Sequence, residues 1–234
     1  MKRILLFIFL FCHQGIFGQL EFRNSNVGRL MNMEDISGRS LFKKYDPDIS
    51  GSPFINDEWI MAMITLSQGN EIGPLKIKLN IENNELYYLD SLGKEMIAVE
   101  GIVKKVDCIN YYSKDSIRYI FKTGYPAIDK QNENYYYQVL TEGNVELLAK
   151  KFKYIRTTKE EVSGAVSKDF VEGIVTMYVY ANNAIREFRP NKNFIISVLK
   201  NKEQEINKFI DTDRTNFKKT KDVVRLINYY NSLL

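Results

Sequence analysis

Between residues 75 and 81 the chain alternates without a break. Leu75, Ile77, Leu79 and Ile81 are apolar, and Lys76, Lys78 and Asn80 between them are polar. That two-residue period fits a strand with one buried and one wet face, and it fits no helix. Asn83-Asn84 then marks a turn, because Asn tolerates positive φ, and Glu85 to Asp90 begins the return strand. The same grammar recurs twice. Tyr135 to Thr141 runs through Glu142-Gly143-Asn144 into Val145 to Tyr154, and Ile174 to Tyr180 runs through Asn182-Asn183 into Ala184 to Phe188. Successive hairpins with no helix between them predict an antiparallel meander over residues 59–190.

The period changes after Pro190. Ile195, Ile196 and Leu199, then Ile206, Phe209 and Ile210, fall on helical stripes. In the last segment Val223, Leu226, Ile227, Tyr230 and Leu234 keep helical spacing, with Thr220 as the expected N-cap and Asp222 in the first turn. Short amphipathic helices bury little on their own, so residues 191–234 are expected to dock on the sheet. The fold class is therefore α+β, a curved antiparallel β-meander or half-barrel with a C-terminal set of short helices. The Val223, Leu226, Ile227 and Tyr230 stripe either packs on its own sheet, the preferred reading, or is an interface offered to a partner. Residues 19–58, with Gly28, Gly38, Pro47, Gly51 and Pro53 among polar residues, show no sustained period. They read as an irregular arm, with a short helix expected near Arg29 to Ile36.

Residues 1–18 read as a secretory signal peptide. Lys2 and Arg3 precede the apolar run Ile4 to Phe11, and Gly15 and Gly18 supply small residues near a cut before Gln19. The chain has one histidine, His13, and it would leave with the leader. Ser-His-Asp and Cys-His catalysis are thereby excluded from the mature protein. Cys12 would leave too, and bulky Phe11 before it argues against lipidation. The remaining Cys108 closes no internal disulfide. It lies in the alternating stretch Val103 to Ile109, where a buried, inert thiol is expected. No later apolar run approaches the roughly 20 residues needed to cross a membrane. The net charge is +4, and the leader's Lys2 and Arg3 supply two of those charges. So small a surplus gives no reason to expect nucleic acid as a partner.

One constellation has metal-ligand spacing. Asp46, Asp48, Ser50, Gly51 and Asp57 occupy the first, third, fifth, sixth and twelfth places of a calcium loop. Pro53 inside the loop and the lack of a helix before Asp46 favour a plain acidic turn; Ca²⁺ is the one cofactor the residues suggest. The carboxylate pairs Asp57 with Glu58 and Glu82 with Glu85 have the chemistry of a glycosidase, the third-ranked reading. Tyrosine clusters at Tyr87-Tyr88, Tyr111-Tyr112, Tyr135-Tyr136-Tyr137 and Tyr229-Tyr230. On a strand each doublet would turn one ring inward and one outward.

The stretch Gly51-Ser52-Pro53-Phe54-Ile55-Asn56-Asp57-Glu58-Trp59 resembles a motif of a widespread group of exported Bacteroidota envelope proteins of unknown function. The resemblance continues through Leu75 to Leu86, Val139 to Leu148 and Asn191-Lys192. It departs at Lys78-Leu79-Asn80, where the group usually reads Arg-Tyr-Asn. It implies export and a shared fold, and no catalytic residue. The expected function is a non-enzymatic binding or accessory protein of the periplasm or outer membrane with an envelope protein as partner. The alternative is a carrier of a lipid or other apolar ligand in a half-barrel cavity.

Overall fold

The computed structural model describes residues 48–234. The leader, Cys12, His13, the expected Arg29 to Ile36 helix and Asp46 lie outside the described residues. Thirteen strands and three α-helices follow in chain order. The strands are β1 (Ile49–Ser50), β2 (Ile60–Leu66), β3 (Glu71–Asn80), β4 (Glu85–Leu89), β5 (Glu95–Ile97), β6 (Val103–Tyr112), β7 (Arg118–Lys122), β8 (Tyr137–Val139), β9 (Val145–Lys150), β10 (Lys153–Lys159), β11 (Val166–Glu172), β12 (Thr176–Ala181) and β13 (Ala184–Glu187). The helices are α1 (Lys192–Val198), α2 (Glu203–Asp213) and α3 (Thr220–Ser232), with a 3₁₀ turn at Lys200–Lys202.

Ten strands form one antiparallel sheet in the order β13-β12-β9-β8-β7-β6-β2-β3-β4-β5. The chain meanders outward from β2 to β5, returns to place β6 on the other side of β2, and meanders again to β9. Asn182 and Asn183 both have positive φ (51° and 58°), the backbone that a two-residue hairpin with right-handed twist requires. Ala181 and Ala184 pair across that turn. Asn84 (φ 61°) plays a similar part between β3 and β4. The remaining three strands form a separate small sheet, β1-β11-β10, with β1 parallel to β11.

The alternation in β3 fixes its inner face. Ile77 and Leu79 are fully buried in a cluster with Ala62, Ile64, Leu86, Val106 and Phe121, while Lys76 is exposed. Two expectations for the outer face need correction. Asn80 is 0% exposed, its Oδ1 accepting the Glu82 and Asn83 amides of the turn. Lys78 is half-buried, its ammonium lying over the rings of Phe54 and Trp59 at 5.4 and 5.2 Å. The segment before β2 therefore covers the face that alternation alone leaves wet. The tyrosine doublets change for the same reason. Tyr87 and Tyr88 are both buried, as are Tyr136 and Tyr137, because the sheet is covered on both sides. Tyr111-Tyr112 leaves Tyr112 56% exposed, as a one-sided strand would.

The helices cover the β9–β12 end. Val145, Leu147, Val179 and Ala181 pack with Ile195, Leu199, Ile206, Val223, Leu226, Ile227 and Tyr230 in one cluster. Val223, Leu226 and Ile227 are 0% exposed and Tyr230 is 4% exposed. The stripe is therefore a contact within the chain, and the suggestion that it is an interface offered to a partner is corrected. Thr220 is the first helical residue instead of the cap. Asp222 accepts the Asn216 amide at 3.1 Å and holds the entry to α3. At the other end Asn231 Oδ1 accepts the Val145 amide, and its Nδ2 donates to the Glu142 and Val145 carbonyls. Gly143 (φ +139°) sits under that amide, where a Cβ would come within 2.6 Å of it. Among the described residues no helix is long and apolar enough to cross a membrane.

Candidate functional site: an exposed β-ribbon

The expected strand from Val145 to Tyr154 breaks at Lys151-Phe152. Its first part is β9 of the large sheet; its second becomes β10 and leaves for the small sheet. Together β10 and β11 make a two-stranded ribbon. Residues 158–167, which include its tip, are all exposed. Among the described residues eleven large apolar side chains are exposed, and six of them fall between residues 154 and 175. They are Tyr154, Ile155, Val162, Val166, Ile174 and Val175. Tyr154, Ile155, Val162 and Val166 lie on the β10–β11 hairpin, and Ile174 and Val175 in the connection that follows it. Single exposed apolar side chains need no explanation, whereas such a gathering does.

The ribbon is anchored at its base by the motif that carries the resemblance. Lys153 Nζ donates to the Ser52 and Phe54 carbonyls at 3.0 and 2.6 Å. The Lys153 amide donates to the Ile81 carbonyl. Ile55 and Pro53 bond backbone to backbone with Leu79 and Ile81 at the end of β3. Phe54 meets Tyr87 edge-on at 5.2 Å, and Asn56 Oδ1 accepts the Tyr111 hydroxyl at 2.7 Å. Gly51 to Trp59 is thus a clamp joining the large sheet to the ribbon. Further out β1 pairs with β11 at Lys168 and Asp169, and the Arg156 guanidinium makes a two-bond contact with Asp169 at 3.2 and 2.7 Å.

Of the calcium constellation, Asp46 lies outside the described residues, Asp48 sits in a turn, and Ser50 ends the extended strand Ile49–Ser50, which pairs with Lys168 and Asp169. Asp57 is exposed. Among the described residues no group of three or more His, Cys, Asp or Glu side chains is placed to hold a metal ion. Of the two proposed carboxylate pairs, Asp57 and Glu58 are exposed, and Glu82 and Glu85 flank the β3–β4 turn. Cys108 is fully buried, and burial, with Asp107 beside it, pushes its thiol up to about 12.

Sequence reasoning missed one charged cluster, because its members lie on three strands and a turn. Glu146 on β9, 8% exposed, accepts from Lys122 Nζ of β7 at 2.6 Å and from the Tyr125 hydroxyl at 2.6 Å. Glu142, in the β8–β9 turn, lies 3.1 Å from Lys122 and 3.0 Å from Lys105 of β6. Burial alone would lower the Lys122 ammonium, but Glu146 and Glu142 outweigh it and hold it above the usual lysine value. Burial would raise the Glu142 carboxyl, and the hydrogen bonds from Lys105 and Lys122 reverse that and lower it. Burial and then Glu146 drive the Tyr125 phenol far above its ordinary value. Each carboxylate is held by a cation, the pattern of a structural brace across β6, β7 and β9.

Behind that brace Tyr125, Tyr135, Tyr137, Tyr178 and Tyr180 form edge-to-face contacts with centroids 4.9–5.7 Å apart. Tyr178 donates to Asp129 at 2.7 Å. The rings fill the second face of β8, β9 and β12 beneath the β7–β8 connection. A half-open groove of about 690 Å³ lies at the β12–β13 turn, with Asn182, Asn183, Arg186 and Asn201 on its polar side and Val198 and Leu234 on its apolar side. No protein-family model, no curated protein and no solved structure matches the chain.

Proposed function

We propose that this is an exported, non-enzymatic binding or accessory protein of the bacterial cell envelope, in the periplasm or at the outer membrane. In this reading it grips an envelope protein with the β10–β11 ribbon. The observation that carries the proposal is the gathering of exposed apolar side chains on that hairpin and the connection that follows it. Beyond the β1 pairing at Lys168 and Asp169 the hairpin is two-stranded among the described residues, and such a hairpin has little stability of its own, which fits a surface completed by a partner. The order of residues 1–18 and the resemblance at Gly51 to Trp59 support the compartment. Register shifts in β2, and between β6 and β7, support a sheet curved into a half-barrel, because bulges increase twist and bend. The non-enzymatic reading is supported by the lysine partners of Glu142 and Glu146.

Site-specific photo-crosslinking in bacteria tests the proposal. A photoreactive residue at Tyr154 or Val162 should give a discrete adduct with an envelope protein. The same residue at Leu92, 90% exposed but at the β4–β5 turn, should not. Equal labelling from all three positions, or none from any, would overturn the reading.

A further inference from the structure

We propose that the outer edge of β10 is a strand-addition site for an extended, acidic segment of the partner, an inference that rests on the ribbon's being the contact arm. The geometry begins with backbone direction. In an antiparallel strand each residue turns its N–H and C=O to one side, and successive residues alternate. The Phe152 carbonyl accepts from Gly173, and the Glu160 amide donates to Ala165, so even-numbered residues face β11. The Lys153 amide points the other way, to the Ile81 carbonyl. The two-residue period therefore turns the amides and carbonyls of Ile155, Thr157 and Lys159 toward the side away from β11, where among the described residues no strand pairs with β10. All three residues are exposed. Unpaired edge groups of this kind are a template for another strand.

The side chains specify which strand fits. Lys153–Lys159 carries Lys153, Arg156 and Lys159 and no carboxylate. Lys153 is tied to the Ser52 and Phe54 carbonyls and Arg156 to Asp169, which leaves Lys159 to meet an incoming charge. Ile155, Thr157 and Lys159 share one face of the ribbon; Tyr154, Arg156 and Thr158 share the other. An added strand with acids on the Lys159 face and apolar or hydroxyl residues on the Tyr154 face matches both. A second copy of β10 would bring another Lys159 and no acid to meet it, so charge disfavours self-pairing.

Proline distinguishes edge pairing from contact through the ribbon's faces. At Thr157 it removes an outward amide and places its ring on the open edge, a position where strands tolerate proline, while the ladder to β11 keeps its bonds. The probe is a fluorescent octapeptide of alternating Glu and Val, compared with its Lys-Val counterpart by anisotropy. The Glu-Val peptide should bind in preference to the Lys-Val peptide. Thr157→Pro should weaken that binding at least tenfold, and Thr158→Ala should leave it unchanged. Ile155→Pro, at the neighbouring outward amide, replaces Thr157→Pro if the latter lowers the melting temperature. Equal binding of both peptides, or full binding by a folded proline variant, overturns the proposal. So does a dimer of the protein that the proline variant converts to monomer, since the edge would then belong to a second copy. If Val162 still crosslinks to an envelope protein in the Thr157→Pro variant, the contact arm stands and the edge proposal falls.

Discussion

Leu226→Asp is expected to leave no cooperatively folded protein at room temperature. Leu226 is 0% exposed, in the cluster where α3 meets Val145, Leu147 and Ile206. A carboxylate there has no cation or donor facing it. Burying an unpaired charge and losing a large apolar side chain together exceed about 5 kcal/mol, comparable with the whole stability of many domains. Lys221→Asp is the matching control on the outer face of the same helix. It is exposed in the first turn, where negative charge suits the helix dipole, so its stability should stay within about 0.5 kcal/mol of the parent or rise. Circular dichroism through a thermal ramp reads both. A Leu226→Asp protein that melts normally would mean that α3 does not dock as described.

The second large effect is expected at Glu146. Glu146→Ala leaves Lys122 with its side chain 20% exposed and without its closest carboxylate, and also leaves the Tyr125 hydroxyl without its acceptor. Breaking one side of a largely buried ion pair should cost about 3 kcal/mol, or roughly 10 °C in melting temperature for a chain of this size. Adding Lys122→Met should recover most of that loss, because it removes the stranded charge as well. Glu142 and Lys122 define the pH window. The Glu142 carboxyl is lowered, so its contribution is present above the ordinary value of 4.5 and is lost as pH falls through the folded value. The Lys122 ammonium is raised, so its contribution is present below 10.5 and is lost as pH rises through the folded value. The gap between parent and Glu142→Gln should be widest between these limits. A gap that does not change with pH would show that the brace acts by packing alone.

What the sequence disclosed was local. The period of Leu75 to Ile81 and the Asn182-Asn183 turn are set by neighbouring residues, and both carry over into the structure. The stripe of Val223, Leu226, Ile227 and Tyr230 identifies the buried face of α3 for the same reason. Nonlocal features left no comparable trace. Nothing in the spacing shows that β6 lies beside β2, or that Phe54 and Trp59 close over Lys78. The Lys122 and Glu146 partnership spans 24 residues and crosses the end of β8, so no short-range pattern encodes it. The ribbon was hidden differently. Tyr154 to Lys159 looks like a continuation of β9, and only the break at Lys151-Phe152 sends it to another sheet. A linear match to calcium-ligand positions says nothing about backbone path, and of that stretch only Ile49–Ser50 is a strand, paired with β11.

The most direct measurement of the central claim is made on a shortened ribbon. Residues 158–167 are all exposed, and Thr158 faces Ser167 in a pair that turns its backbone groups toward each other. Replacing the eight residues 159–166 by Asn-Gly therefore closes the hairpin on an existing hydrogen-bonded pair with a two-residue turn. Melting temperature and recovery of the ribbon's crosslinked envelope partner, with the photoreactive residue at Tyr154, are then measured on the same variant. The account expects melting within about 2 °C of the parent, since no buried side chain is removed, and loss of the partner. A variant that melts far lower yet still captures the partner would contradict it, because the ribbon would then serve the fold and not the contact.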